Sequence, residues 1–399
     1  MREPGSRPRS SAEGPQAFHR FATYARRTSW EPSPTSWARG QWQNCKMKSG
    51  EEKLLKALDA TVGVILTELL GLLSPREPEA VDIGRILLVR PGGIGDAVLL
   101  CPAIRRIKEA LGAEIDVLAE KRNQEVFGLC PGLRKVFTYD DDLSILKPLF
   151  RNYDLIIDTE QWYRLSAIFA RLARGKLRAG FSTNNRKKLF HRRVAYEINV
   201  HESLNFLRLV ACATGTDYRP YYDIPFLEVP SPYRRWARAL FHRLRGERLP
   251  VAVIFPGSAR LEKRWDIDKF AELAQRLENR GARIIIVGGP GDKELASRIT
   301  RSLKDPMDFS GLTNLAQTAA LIEQADVFIS VDSGLMHIAY GLGTPSVSLF
   351  GPGNRTKWAP KGAIHRTVYR SFSCSPCSLF GKIPKCPYNY RCMKSIEVD

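Results

Sequence analysis

The stretch ILLVRPGGIGDAVLLCPAIRRIK, residues 86–108, starts as an apolar run, turns through Pro91-Gly92-Gly93-Ile94-Gly95 and continues with helical periodicity. A short apolar run that leads through glycines into a helix is typical of a buried parallel strand in an α/β protein. The glycines permit a tight turn and a close approach of a ligand to the backbone, and the helix N-terminus offers free N–H groups. The stretch therefore predicts a strand–turn–helix unit whose turn faces a ligand.

The same alternation extends over most of the chain. Further strands are predicted at 115–119, 154–159, 251–257, 283–289, 326–332 and 345–351. Helices are predicted at 97–111, 161–174, 203–213, 267–280, 291–303 and 314–324. An irregular Pro- and Tyr-rich segment at 218–232 divides the pattern into two halves, with a linker near 225–250. We predict an α/β fold of two doubly wound, Rossmann-like domains, 84–225 and 250–370, that face each other across a cleft.

Asp96 stands at the expected start of the first helix, directly after the glycine turn. A carboxylate there is either a helix N-cap or a general base that takes a proton from a hydroxyl in the cleft. A dinucleotide-binding turn is a third interpretation, but G-x-G-x-x-G would need glycine at position 98, where Val98 stands. The turn favours the first two interpretations over the third.

A second candidate segment is VIFPGSARLEKRWD, residues 253–266, where a strand is followed by a charged loop. The hydroxyl of Ser258 is a donor for a phosphate, and Arg260, Lys263 and Arg264 are cations that neutralise one. Taken alone, the same pattern also describes a solvated basic loop.

The third candidate segment, residues 326–360, delivers Asp332-Ser333-Gly334 from a buried strand to a helix start. Ser333 and Gly334 offer N–H groups to a diphosphate, and His337 adds a donor on the same helix face. A charged Asp332 does not bind phosphate, so we expect it to orient backbone donors or to accept from a sugar hydroxyl. A structural role for His337 is the alternative.

Four of the eight cysteines lie in the predicted Cys-rich tail, 371–399: Cys374, Cys377, Cys386 and Cys392. The sequence shows no secretory signal, so disulfides are not the first expectation. A C-x-x-C pair with two further thiolates matches the ligand set of a structural Zn or Fe site. Reduced thiols that only pack are the alternative.

Two segments precede the first domain. Residues 1–50 are rich in Arg, Ser, Pro and Gly and predict a disordered basic leader. Residues 51–80 predict an amphipathic helix, which either packs on the α/β body or lies on a membrane surface. The chain has no run of 18 apolar residues, so no helix is expected to span a bilayer.

The overall composition narrows the class of partner. With 61 Lys and Arg against 42 Asp and Glu, the 399-residue chain has a formal charge of +19, and 44% of its residues are hydrophobic. This composition is globular and excludes a wholly disordered or collagen-like chain. The charge favours an acidic partner. No nucleic-acid recognition motif is present, and the basic residues are spread along the chain, so nucleic acid is not an expected partner.

Taken in order, the three segments resemble the lipopolysaccharide heptosyltransferases of glycosyltransferase family 9. The matching features are the G-I-G-D turn with Pro102, the PGS…K-x-W segment, and the D-S-G-x-x-H…LFGP…W-x-P block. The resemblance covers about residues 84–396. One departure is Arg90-Pro91-Gly92-Gly93, where many members have Lys followed by small hydroxyl residues.

The resemblance implies a GT-B fold, an ADP-heptose donor and an inverting transfer that needs no metal or other cofactor. The 84–225 domain then holds the acceptor, with Gly93 and Gly95 in its turn and Asp96 as the catalytic base. The 250–370 domain holds the nucleotide sugar. Its implied donor-binding residues are Ser258, Lys263, Asp332, Ser333, Gly334 and His337.

The expected function is transfer of heptose to the inner core of lipopolysaccharide by a cytoplasmic enzyme, peripheral on the inner membrane surface. A heptosyltransferase with a protein or other glycan acceptor is the alternative within the family. An NAD(P)-dependent oxidoreductase is the alternative outside it.

Overall fold

The computed structural model describes residues 49–73, 76–140, 142–244, 249–379 and 382–398. These described residues belong to one compact unit. The leader predicted over 1–50 lies outside the described residues up to position 48. Among the described residues, no helix is both long and apolar enough to cross a membrane.

The first half of the chain folds around a six-stranded parallel sheet, which we call the first lobe. Its strands are β1 (Arg85–Val89), β2 (Glu114–Ala119), β3 (Leu133–Thr138), β4 (Tyr153–Asp158), β5 (Gly175–Phe181) and β6 (Arg192–Val194). Its helices are α3 (Ile94–Leu111), α4 (Leu146–Leu149), α5 (Arg164–Leu172) and α6 (Glu202–Thr214). The strand order is β3-β2-β1-β4-β5-β6.

The second half forms the second lobe around another six-stranded parallel sheet. Its strands are β7 (Val251–Phe255), β8 (Arg283–Ile286), β9 (Met307–Asp308), β10 (Val327–Val331), β11 (Ser346–Phe350) and β12 (His365–Tyr369). Its helices are α7 (Ser231–Leu244), α8 (Ile267–Asn279), α9 (Lys293–Thr300), α10 (Leu315–Gln324), α11 (Gly334–Leu342), α12 (Arg355–Trp358) and α13 (Arg391–Lys394). The strand order is β12-β11-β10-β7-β8-β9.

Both sheets therefore have the same topology, since each reads 3-2-1-4-5-6 when its strands are numbered from its own first one. In this doubly wound order the strand sequence reverses between the first and fourth strands, and ligands bind in the crevice at the carboxyl ends of those strands. The reversal points are β1/β4 and β7/β10. The prediction of two doubly wound domains is confirmed.

The helix expected over 51–80 is a pair of helices, α1 (Ser49–Ala60) and α2 (Val62–Leu72), which we call the N-terminal helix pair. At the break, Thr61 Oγ1 donates to the carbonyl oxygen of Ala57 at 2.8 Å, a local bond of the kind that bends helices. The second helix ends shortly before Pro75, and proline disfavours a helical conformation in the residue before it.

The N-terminal helix pair attaches to the first lobe by its small and polar side. Gly63, Thr67 and Gly71 are buried, and the carboxylate of Asp59 accepts from the backbone N–H of Arg164 at 2.5 Å. The opposite side leaves nine large apolar side chains 37–81% exposed: Leu54, Leu55, Leu58, Val62, Ile65, Leu66, Leu69, Leu72 and Leu73. The helix pair therefore packs on the α/β body by one side, and the described residues do not cover its apolar face.

The linker region and the C-terminal tail both make described contacts with the second lobe. Phe226 and Leu227, in the expected linker region, donate their backbone N–H groups to the carbonyl oxygen of Gly341 at 2.8 and 2.9 Å. In the tail, Met393 and Ile396 are buried in the core of the second lobe. Trp265 Nε1 donates to the carbonyl oxygen of Ile396 at 3.0 Å, which fixes the tail on that lobe.

Candidate active site

The two lobes touch through the first turns of α3 and α11, one from each reversal point. A Cβ atom on Gly95 would lie 2.6 Å from Cδ2 of His337, and one on Gly334 would lie 2.8 Å from Cβ of Ile94. Real Cβ atoms essentially never approach so closely, so each glycine permits a contact that a side chain would prevent. The predicted turns of the two domains therefore meet at one place.

Asp96 lies in the first turn of α3 and is partly buried. Gly93 occupies the N-cap position and makes no side-chain cap, so Asp96 is not the N-cap residue. Its Oδ1 accepts from Nε2 of Gln161 at 3.2 Å. A carboxylate in the first turn also interacts favourably with the positive end of the helix dipole. Asp96 therefore lies beside the interlobe contact, where Gln161 is its described side-chain donor.

Gln161 belongs to a polar network that sequence reasoning missed. Its Nε2 also donates to Oε1 of Glu202 at 2.6 Å, and Oε2 of Glu202 lies 2.5 Å from Nζ of Lys357. Tyr196 donates its hydroxyl to the same carboxylate at 2.8 Å. Lys357 comes from the second lobe and the other three from the first. For Gln161 the sequence did contain a signal, because it is one of the polar residues that directly follow β4 at the reversal point.

Two buried ion pairs form the floor of the cleft. Arg90, the departure from the family pattern, lies 3.1 Å from Glu160 and donates to the carbonyl oxygen of Thr159 at 2.8 Å. Arg186 pairs with Asp158, and both side chains are fully buried. Burial opposes the charge of Arg90, but Asp96 and Glu160 outweigh that effect and raise its pKa above the usual value. Arg90 thus joins the ends of β1 and β4.

The predicted donor-side residues gather at the other reversal point. Nζ of Lys263 lies 2.6 Å from Oδ2 of Asp332, and Asp332 is nearly buried. Ser258 follows β7, where its Oγ accepts from the backbone N–H of Arg260 at 3.3 Å and its carbonyl accepts from the guanidinium of Arg264 at 3.2 Å. Asp332 therefore orients a lysine at the helix start.

The start of α11 presents the features of an anion site. Ser333 is the N-cap residue, and its hydroxyl accepts from the N–H of Met336 at 3.3 Å. His337 is 3% exposed, and its Nδ1 has no hydrogen-bond partner in the described part of the chain. Burial lowers the pKa of His337 to about 4, so the imidazole is neutral at pH 7. The first turn of α11 therefore offers backbone N–H groups and a neutral imidazole to the cleft.

The tail cysteines are free thiols. Burial raises the pKa of Cys377, and the neighbouring Cys386 and Cys374 raise it further. Cys386 Sγ accepts from the backbone N–H of Tyr390 at 3.3 Å. In the part of the chain that the structure describes, no three His, Cys, Asp or Glu side chains form a group able to hold a metal ion. The Zn or Fe site on these four cysteines stays a prediction.

Solved structures of similar fold include heptosyltransferases. The ADP-heptose lipopolysaccharide heptosyltransferase II of Escherichia coli has a TM-score of 0.61 and 21% identity, over 72% of this chain and 91% of that one. The E. coli heptosyltransferase WaaC with ADP has a TM-score of 0.59 and 20% identity, over 71% and 92%. The iron-containing dodecameric glycosyltransferase TibC of enterotoxigenic E. coli has a TM-score of 0.51 and 16% identity, over 80% and 74%.

Sequence comparisons agree with the fold. The chain is 28% identical over 289 residues to lipopolysaccharide heptosyltransferase 3 of E. coli K12, covering 67% of this chain and 82% of that protein. It is 26% identical over 317 residues to lipopolysaccharide heptosyltransferase 1 of Pseudomonas aeruginosa, covering 73% and 86%. These likenesses do not favour the oxidoreductase interpretation. The sequence pattern of one family matches residues 143–385, more than half of the chain, and the chain is therefore a glycosyltransferase that belongs to glycosyltransferase family 9 (heptosyltransferase).

Proposed function

We propose that the protein transfers heptose from ADP-heptose to the inner core of lipopolysaccharide with inversion at the anomeric carbon, and that Asp96 is the general base. The observation that carries this proposal is the contact between the two reversal points, which brings the first turn of α3, with Asp96, against the first turn of α11. A base and a diphosphate site on facing lobes suit a single displacement.

In the proposed step, Asp96 takes the proton of an acceptor hydroxyl. The acceptor oxygen forms a bond to the anomeric carbon, and the bond from that carbon to the diphosphate oxygen breaks. ADP leaves with the electron pair from the face opposite the attack. The N–H groups at Ser333 and Gly334, Lys263 and the imidazole of His337 stabilise the negative charge that develops on the diphosphate.

Side chains alone supply the positive charge in this scheme, so we propose that no divalent cation or organic cofactor takes part. Lys263 is held by Asp332 at 2.6 Å, which directs one ammonium group toward the loop after β7. Ser258 completes the site by shaping that loop. Turnover is therefore expected to be unchanged by a metal chelator.

The acceptor is proposed from the printed names of the relatives, which are lipopolysaccharide or lipooligosaccharide heptosyltransferases. Such an acceptor is lipid-anchored, and the exposed apolar face of the N-terminal helix pair fits a membrane surface. Lys187 and Lys188 lie on the turn 185–189, which contacts the inner side of α2. We propose a cytoplasmic enzyme that lies on the inner membrane through this face.

The experiment separates binding from transfer. Asp96→Asn is expected to bind ADP but to transfer heptose about 10²–10⁴-fold more slowly, because a general base typically contributes that factor. Lys263→Ala is expected to weaken ADP binding by about 1.5–3 kcal/mol, the cost of removing a charged hydrogen-bond partner. Lys263→Arg is the matched control that keeps the charge.

Calorimetry with ADP and mass analysis of a heptose-deficient lipopolysaccharide core incubated with ADP-heptose give the two readouts. Near-normal transfer by Asp96→Asn would reject the base assignment. Transfer to a protein or another glycan, with none to the lipopolysaccharide core, would replace the proposed acceptor by the alternative one.

A further inference from the structure

A continuous chain of hydrogen bonds runs from Asp96 across the cleft to the second lobe. The single amide nitrogen of Gln161 carries two N–H donors, and it reaches Asp96 at 3.2 Å and Glu202 at 2.6 Å. Two carboxylates from different elements therefore share one side chain. The position of one of them constrains the position of the other.

Glu202 is the centre of this chain. Its side chain is fully buried, and a buried carboxylate is stable only when donors satisfy its lone pairs. Oε1 accepts from Gln161, and Oε2 accepts from Tyr196 at 2.8 Å and Asn205 at 3.3 Å. Nζ of Lys357 lies 2.5 Å from Oε2 and provides a positive charge beside it. Lys357 is itself 7% exposed, so water screens this pair poorly.

Lys357 is the member of the chain that comes from the second lobe, in α12 after β11. Its ammonium group also donates to the hydroxyl of first-lobe Tyr196 and lies 5.2 Å from the ring centroid of its neighbour Trp358. The aromatic ring of Trp358 lies edge-on to His337 at 6.1 Å between centroids. Lys357 therefore connects the donor-side helix region to the acceptor-side carboxylates.

We propose that Lys357 is a positioning residue for Asp96. It neutralises Glu202 and, through Glu202 and Gln161, fixes the carboxylate of Asp96 in the anionic state in which it accepts a proton. This inference rests on the proposed role of Asp96 as the base. It implies that Asp96 is held in this state only when Lys357 of the second lobe contacts Glu202 of the first.

Loss of the Lys357 charge would remove the cation in direct contact with Glu202 and leave more negative charge near Asp96. A like charge nearby favours the protonated form of a carboxylic acid, so the pKa of Asp96 is expected to rise. Arg90, which pairs with Glu160 at 3.1 Å, also attracts Asp96 and Glu202 and is the same in every variant compared. Arg186 pairs with Asp158, and His337 and His201 are neutral at pH 7 because burial lowers their pKa. Tyr196 remains protonated, since burial and Glu202 raise its pKa.

The test titrates Asp96 directly in the full-length protein. In protein with ¹³C-labelled aspartate carboxyls, the resonance absent from Asp96→Asn is that of Asp96. In Lys357→Gln, which keeps a donor but loses the charge, its titration midpoint is expected about one pH unit higher than in the wild type, the size of a modest charge effect. Lys357→Arg is expected to restore the wild-type midpoint.

The double variant Lys357→Gln/Glu202→Gln removes both charges and keeps hydrogen-bonding groups. Its Asp96 midpoint is expected to return to the wild-type value, and it provides the test if Lys357→Gln alone fails to fold. Equal midpoints in wild type and Lys357→Gln, or a midpoint in the double variant that stays raised, would overturn the inference.

A kinetic readout separates this inference from the proposed function. With ADP-heptose and a heptose-deficient lipopolysaccharide core, the acid limb of kcat against pH is expected to move with the Asp96 midpoint in Lys357→Gln, while KM for ADP-heptose changes little. If Asp96→Asn retains transfer, the proposed function fails whatever the midpoints are. If Asp96→Asn is inactive and the acid limb does not move, only the role of Lys357 fails.

Discussion

The interlobe cleft and the N-terminal helix pair both reverse the usual rule of apolar residues inside and polar residues outside. In the cleft, charged side chains such as Arg90, Arg186 and Glu202 are buried. On the helix pair, apolar side chains such as Ile65 and Leu69 are 60% and 56% exposed. The cleft buries charged side chains, and the helix pair exposes apolar ones.

The two regions differ in whether the described residues supply a partner for the unusual side chains. Each of these buried charges has a partner in the same chain, because an unpaired buried charge is strongly destabilising. The apolar face of the helix pair has no such cover among the described residues, and a large exposed apolar patch usually marks an interaction surface. These buried charges are therefore compensated within the protein, while the apolar face of the helix pair has no cover in the part of the chain that the structure describes.

The largest expected effect on stability comes from breaking a buried pair. Arg186→Met leaves Asp158 charged and buried, and it is expected to lower the free energy of unfolding of the first lobe by about 3–5 kcal/mol. The matched control is Lys188→Met, two positions later in the same turn, which removes an exposed pair with Glu68 at 2.5 Å.

Because solvent screens the exposed pair, the control is expected to unfold close to the wild-type midpoint. Chemical denaturation followed by circular dichroism compares the two variants. Equal destabilisation by both substitutions would remove the distinction between the cleft and the helix pair.

The second prediction concerns pH. Burial lowers the pKa of His337 to about 4, against 6.5 for an ordinary histidine, so between these values the unfolded chain binds a proton that the folded protein does not. The contribution of His337 to the free energy of unfolding is therefore fully present above pH 6.5 and is lost as the pH drops toward 4. The slope from this one group reaches about 1.4 kcal/mol per pH unit.

Unfolding curves at pH 7.5 and pH 5.0 measure this slope, and His337→Gln isolates the contribution of the histidine. The variant is expected to lose less stability on acidification than the wild type. An unchanged pH dependence in His337→Gln would mean that the cleft does not hold this imidazole in the neutral form. Removal of the helix pair, which has no histidine in 49–73, is expected to leave the slope unchanged.

The smallest effect on stability is expected on the outer face of the helix pair. Ile65→Ser and Leu69→Ser replace exposed residues and are expected to change the free energy of unfolding by less than about 0.5 kcal/mol. They are nevertheless expected to reduce flotation with vesicles of phosphatidylglycerol and phosphatidylethanolamine, because the apolar face provides the insertion energy.

The inner face gives the contrast. A side chain on Gly71 would meet Cβ of Lys188 at 2.9 Å, so Gly71→Leu is expected to displace α2 from the first lobe. Wild-type flotation by the outer-face variants, or no flotation by the wild type, would contradict a membrane role for this surface.

The doubly wound fold could be predicted from the sequence because the patterns that identify its strands and turns are local. Apolar runs and glycine turns identify β1, β7 and β10 without knowledge of the neighbours. Strand β5 was missed because Lys176 and Arg178 interrupt its apolar pattern. In the structure, the guanidinium of Arg178 donates to the carbonyl oxygens of Ala170 and Ala173 at 2.9 and 2.8 Å. The pairing that makes a buried arginine acceptable is tertiary and leaves no local signal.

The candidate site likewise has a part that local sequence patterns predict and a part that they do not. The turns at Gly95 and Gly334 were predicted because each is a strand–turn–helix motif. The network that joins Gln161, Glu202 and Lys357 was not, because its members are far apart in sequence: Gln161 and Glu202 are 41 residues apart, and Tyr196 and Lys357 are 161 apart. Only the meeting of two lobes makes these residues neighbours.

The contact between α3 and α11 brings two helix N-termini together, each with a partial positive charge of about one half. Asp332 at the start of α11 is paired with Lys263, whereas Asp96 at the start of α3 accepts from the neutral amide of Gln161. Under the proposed function, a diphosphate that enters this space meets the attraction of both helix ends and the repulsion of Asp96. Removing the charge of Asp96 is then expected to let the protein hold ADP more tightly. The carboxylate proposed to prepare the acceptor would thus also help the product to leave.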